Sequence, residues 1–129
     1  MRLAVERRLL QAAVAVASLV PILAGGAGVV YGAAMMGADG QPALDSHFRY
    51  LSGLLLGIGV AFALSIPDIS VHRRRFGLLC AVVVVGGLGR LVSLLLAGHA
   101  GWTDLAALAM ELAVTPALTS WQRRVSGLD

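Results

Sequence analysis

The chain contains no lysine and a single cysteine. That thiol, Cys80, excludes an intrachain disulfide and any multi-cysteine metal site. Charge of either sign is scarce. Only 13% of the 129 residues are charged, against roughly 25% in an ordinary soluble domain. The shortage excludes a disordered chain, a nucleic-acid-binding tail and almost every class of soluble enzyme. Ten arginines and seven acids leave a formal charge of +3 and a pI near 10.0. Such a pI suggests nucleic acid, but the arginines stand in twos and threes between apolar runs rather than as a phosphate-binding stripe. No nucleic-acid partner is expected. Lipidation motifs, internal repeats, low-complexity segments and domain linkers are also missing.

What the chain has is apolar length. Hydrophobic residues make up 58% of it and the mean hydropathy is +0.85. Leu9 to Ala38 is an uncharged run of thirty residues, longer than the ~20 needed to cross a bilayer. Tyr50–Pro67 follows, then Phe76–Ala97 with one charge, Arg90, and Leu105–Trp121 with one charge, Glu111. Runs such as Ala81–Val85 and Leu94–Leu96 do not alternate in polarity, which excludes transmembrane barrel strands. The spacing predicts an all-α polytopic membrane protein. Its expected form is a single domain over 1–129, an antiparallel bundle of four transmembrane helices at about 9–34, 47–66, 76–97 and 103–121.

Arg2, Arg7 and Arg8 precede the first span, Arg73–Arg75 lie between the second and third, and Arg123 and Arg124 follow the fourth. Four crossings put these eight arginines on one side, and Asp39, Asp45, His47, Arg49, His99 and Asp104 on the other. The positive-inside rule then predicts cytoplasmic termini in a multi-pass inner-membrane protein. The first apolar run is too long for the h-region of a cleaved signal peptide.

The loop 37–46 is predicted to be irregular, with Asp45 or Ser46 capping span two and Thr103 or Asp104 capping span four. Pro21 and Pro116 should each bend their helix and free a carbonyl about one turn earlier. Gly28/Gly32 and Gly53/Gly57 match the small-xxx-small pattern of close helix packing. That packing is within one molecule, or against a second copy or a membrane partner.

Arg90 and Glu111 are the informative residues. A charge near a helix centre costs ~2.5–3.5 kcal/mol on insertion scales, so it should have a partner. Counted from the outer ends of spans three and four, both lie roughly 12–14 Å deep at 1.5 Å per residue. Adjacent antiparallel helices therefore bring them to one depth. Tyr31, His47, Arg49 and Ser93 are expected to converge with them in the outer half. Two arginines facing one glutamate would leave a spare guanidinium for a small anionic or amphiphilic ligand. Asp45 stands ready to neutralise Arg49 instead.

In this scheme Arg49, Arg90, Glu111, His47, Tyr31 and Ser93 are candidate ligand-binding residues. If the protein is an enzyme, an isomerase or cyclase of a lipophilic substrate, Glu111 or His47 is the candidate acid/base. A structural or accessory subunit is the third alternative. No cofactor and no metal are expected, and membrane lipids are the general partner.

The segment His47-Phe-Arg-Tyr-Leu-Ser-Gly53, the Gly-Leu-Gly-Arg90 of span three, Glu111-Leu and the terminal Trp121-Gln-Arg resemble an uncharacterised bacterial family. Its members are small four-span membrane proteins carrying a domain of unknown function. The resemblance covers the chain from span one to Gln122. It implies a four-helix membrane bundle with polar positions at His47, Arg49, Arg90 and Glu111, and no established reaction. The layout is also similar to DoxX-like and emopamil-binding-type four-span proteins. No motif here carries over the catalytic residues of the latter, so that likeness is analogy.

Overall fold

A computed structural model describes residues 2–38, 40–98 and 101–128. Asp39 and His99 of the expected outer loops lie outside the described residues. The regular structure among the described residues is helical throughout, and the chain forms two compact units, Ala12–Ile66 and Met1–Gln11 with Pro67–Asp129.

The 12–66 unit holds most of α1 (Arg2–Tyr31), a 3-10 turn (Gly32–Met36) and α2 (Pro42–Leu64). The long Ala/Val/Leu run sustains α1 until Gly32. There the backbone adopts φ +67°, a conformation that glycine enters without the Cβ penalty other residues incur. Helix α2 begins earlier than expected. Gln41 is its N-cap, makes no side-chain capping bond, and is followed by Pro42. Proline suits that position, because the first helical N–H groups have no intrahelical partner and φ is preset. Residues 42–46 are therefore helical rather than irregular, and the caps expected from Asp45 or Ser46 are not used. At the far end Ser65 is fully buried and its hydroxyl donates to the Ala61 carbonyl at 2.9 Å.

α1 and α2 approach to near backbone contact. A Cβ on Gly25 would stand 2.5 Å from the Leu56 nitrogen and 2.7 Å from the Ser52 oxygen. Of the small-residue faces expected from the sequence, the one containing Gly28 is occupied by Ser52 and Phe48 of α2. Gly57 meets nothing within 4 Å.

The other unit contains the start of α1, α3 (Arg73–Ala97), α4 (Trp102–Ala109), a π-helical turn (Met110–Val114) and α5 (Thr115–Leu128). The fourth expected span is thus one helical run divided by a wide turn. Pro116 offers no N–H to the Leu112 carbonyl, and a widened turn just before it accommodates that loss. Thr115 closes the turn, since both its backbone N–H and its hydroxyl donate to the Met110 carbonyl, the latter at 2.7 Å. Gly101, without a side-chain bond, is the N-cap of α4, so neither Thr103 nor Asp104 caps it.

The best-buried core in this unit lies where α1 and α3 start and α5 ends. Leu10, Ile69, Phe76, Gln122 and Val125 are almost completely buried. Polar side chains tie the segments together. Gln122 Nε2 donates to the Ile69 carbonyl at 2.7 Å, the Ser126 hydroxyl donates to the Ser70 carbonyl at 2.6 Å, and Arg124 donates to Glu6 at 3.0 Å.

Among the described residues, three helical stretches are long and apolar enough to cross a membrane: Arg2–Met36, Pro42–Leu64 and Arg73–Ala97. Large apolar side chains such as Leu23, Leu64, Leu78 and Val85 stand exposed along them, as lipid-facing residues do. The chain is a helical membrane protein.

Candidate functional site

Each unit carries one charged cluster built on the polar residues singled out by sequence. In the 12–66 unit, Arg49 lies on α2 one turn after Asp45. Its Nε donates to the Asp45 carboxylate at 2.8 Å. The other carboxylate oxygen accepts the Ala33 N–H at 2.9 Å. Arg49 Nη1 donates to the carbonyls of Val29 and Val30, which the end of α1 leaves without helical partners. A Cβ on Gly32 would collide with the Asp45 carboxylate and crowd the Arg49 guanidinium. Asp45 and Arg49 together form a clasp that fastens the end of α1 to the first turns of α2. His47 is exposed, and Tyr31 keeps 65% of its surface exposed.

In the other unit, Arg90 of α3 meets Glu111 on the π-helical turn. Arg90 Nε reaches the two Glu111 oxygens at 3.3 and 3.1 Å, and Nη2 reaches Oε1 at 3.1 Å. This two-nitrogen fork is the geometry that makes arginine–carboxylate pairs directional. The approach depends on Gly87, one turn before Arg90. A Cβ there would stand 2.8 Å from Glu111 Cβ and 2.9 Å from Leu112 Cδ2. A second carboxylate, Asp104 Oδ1, stands 3.6 Å from Arg90 Nη1. The side chains of Arg90, Asp104 and Glu111 are 37%, 40% and 18% exposed. Ser93, one turn further along α3, is exposed.

The pairing of Arg90 with Glu111, expected from matched depth, is formed. The spare positive charge expected beside it is absent from both clusters. Asp45 meets the charge of Arg49, and Arg90 has two carboxylates against its one guanidinium. Asp104 is the residue that sequence reasoning missed. It stands seven residues before Glu111, two helical turns along the same face, and that spacing was the available signal. Tyr31, His47 and Arg49 belong to one unit, and Arg90, Ser93 and Glu111 to the other.

Among the described residues, no group of three His, Cys, Asp or Glu is placed to hold a metal ion. The Arg90 cluster can do two things chemically. One edge of the guanidinium is fixed by Glu111. The other edge faces Asp104 at a distance too long for a hydrogen bond and keeps N–H donors free to rearrange.

Long apolar helices, with a paired charge cluster on α3 and the π-helical turn, define the class as helical membrane proteins. Within it, residues 9–122 match the family described as a domain of unknown function, DUF4345, and the chain belongs to that family. No curated protein and no solved structure matches it.

Proposed function

We propose that this is a four-crossing membrane protein that holds a small amphiphilic ligand at Arg90, with Glu111 orienting the guanidinium. The carrying observation is that Arg90 is fixed along one edge while more than a third of its side chain stays exposed. The edge that faces Asp104 makes no hydrogen bond to it and so keeps donors that a ligand can use. The surplus carboxylate adds a condition. A purely anionic head group would meet Asp104 as well as Arg90, so the favoured head group both accepts and donates hydrogen bonds. Ser93 lies on the same exposed stretch of α3. Arg49 serves the clasp, and the proposal gives it no ligand.

Support for a fourth crossing comes from the contacts of α5. Helix α3 starts beside the start of α1, and Gln122, Arg124 and Ser126 bond to Ile69, Glu6 and Ser70 at that same end. The helical run 102–128 must therefore return along the full length of α3. At 1.5 Å per residue it is about 40 Å long, enough to cross a core of ~30 Å. With the arginine distribution, this favours cytoplasmic termini in an inner membrane.

A catalytic role for Glu111 is weakened by the fork, because both of its oxygens accept from Arg90 and proton transfer would first break that pair. The test of the binding role is native mass spectrometry of the protein and of Arg90→Ala, both extracted in mild detergent. A co-purifying amphiphile present in the first and lost from the folded variant is expected. Identical spectra from the two folded proteins would refute the role.

A further inference from the structure

Eight of the ten arginines flank the spans, and topology alone accounts for their presence on one side. Seven of these eight stand exposed in one compact unit: Arg2 and Arg8 on α1, Arg73 to Arg75 on α3, and Arg123 and Arg124 on α5. Direct contacts fix their neighbourhood. Arg124 is bonded to Glu6 across α5 and α1 at 3.0 Å. A Cβ on Gly77 would come within 3.2 Å of Arg123 Nη2, so that guanidinium lies over the first turns of α3. Gly77 is one turn beyond Arg73 and Arg74, on their face of the helix. The almost fully buried Leu10, Ile69, Phe76, Gln122 and Val125 lie on the same segments of the chain.

Charge at this end is poorly balanced. Among the described residues of this end, the acids are Glu6 and Asp68, and Glu6 is already held by Arg124. Arg73 to Arg75 occupy the first turn of α3, which contains no acid and has no side-chain cap. Three cations therefore stand at the positive pole of their own helix, an arrangement that an external anion relieves. The arginines of α1 and α3 sit where the apolar runs of those helices begin, which is head-group level for a protein that spans the membrane. Guanidinium forks match phosphate oxygens two at a time.

We propose that the arginine surface formed by the starts of α1 and α3 and the end of α5 is a binding site for anionic phospholipid head groups, with preference for lipids carrying two phosphates. Arg73, Arg74 and Arg123 supply the forks for one phosphate, and the remaining exposed arginines attract the second. This site is independent of the ligand proposed at Arg90.

The test uses the full chain in nanodiscs of phosphatidylcholine doped with either cardiolipin or phosphatidylglycerol at equal total charge. Lipid retained after detergent transfer is read by native mass spectrometry. Cardiolipin is expected to be retained about tenfold over phosphatidylglycerol, the size of effect that one or two extra arginine–phosphate contacts produce. The variant R73K/R74K/R123K keeps every topogenic charge and removes the forks. It should lose most of the preference while retaining the wild-type orientation. Equal retention of the two anionic lipids by the wild-type protein would overturn the proposal, and that arm needs no variant to fold. An undiminished preference in the folded lysine variant would also overturn it. So would equal thermal stabilisation of the lipid-free protein by inorganic diphosphate and by cardiolipin, since that would make the lipid unnecessary.

Discussion

Arg90 holds its two carboxylates with unequal strength. Glu111 makes a fork at 3.1 Å from a largely buried position, whereas Asp104 stands 3.6 Å away and more exposed. Removing one partner of a buried pair strands the other charge, at a cost of about 3–5 kcal/mol in a fully enclosed site. Asp104 moderates this for Arg90. Glu111→Gln should therefore destabilise the protein by about 1–3 kcal/mol, and Asp104→Asn by less than about 1 kcal/mol. Reversible unfolding in mixed micelles measures both, and the order of the two values is the prediction. Gly32→Ala should cost about 1–2 kcal/mol from its left-handed backbone alone, and more from the collision with Asp45. The pairing of Arg90 with Glu111 was legible in the sequence, because depth along a helix follows from residue count. The role of Arg49 was not. Its bonds go to carbonyls exposed by a 3-10 turn, which no spacing of charged residues announces. Asp104 reads as a helix cap because it follows Thr103 at the start of an apolar run, yet the helix begins at Trp102 with Gly101 as its cap.

At the scale of the element, wide turns and close approaches decide the packing. The π-helical turn carries Glu111 and is closed twice over by Thr115. Thr115→Val keeps the shape and removes the hydroxyl bond to Met110, so it should cost about 0.5–1.5 kcal/mol. A loosened Arg90–Glu111 pair should accompany that loss. The crossing of α1 and α2 gives a sharper contrast. Gly25→Ala forces Cβ against the α2 backbone and should cost about 1–3 kcal/mol, whereas Gly57→Ala meets open space and should stay within about 0.5 kcal/mol. Parallel unfolding measurements on the two variants distinguish them, and equal losses would contradict the described crossing. The existence of the long helices could be read from apolar length alone. Their fine structure could not. Pro116 announced a bend and a freed carbonyl in the fourth span but not a π-helical turn. The segment 37–46 read as a loop because Gly, Asp and Pro cluster there, although Pro42 is in fact the opening residue of α2.

At the scale of the whole molecule, the proposed four-crossing topology is open to labelling from either side of the membrane. In a Cys80→Ser background, Gly127→Cys and Leu3→Cys should react with a membrane-impermeant maleimide from the same side, and Gly40→Cys from the opposite side. Labelling of the two termini from different sides would contradict the return of the helical run 102–128. The sequence located the basic flanks through their charge. It left unread the buried core of the same segments, because Gln122 is polar and nothing in its spacing marks it as core. Its burial goes with the carbonyl of Ile69, buried in the connection between α2 and α3, which needs a donor.

The central claim is that Arg90 and Glu111 form a binding site as well as a brace. The most direct measurement compares the amphiphile bound to the wild-type protein with that bound to the double variant R90M/E111M. Replacing both members by apolar residues of similar volume is often neutral or stabilising, and the carboxylate left behind, Asp104, is 40% exposed and open to solvation. The account predicts that the double variant keeps its fold and its unfolding midpoint but loses the bound amphiphile in native mass spectra. A folded double variant that retains the same molecule at the same occupancy would contradict it and leave the pair as a brace alone.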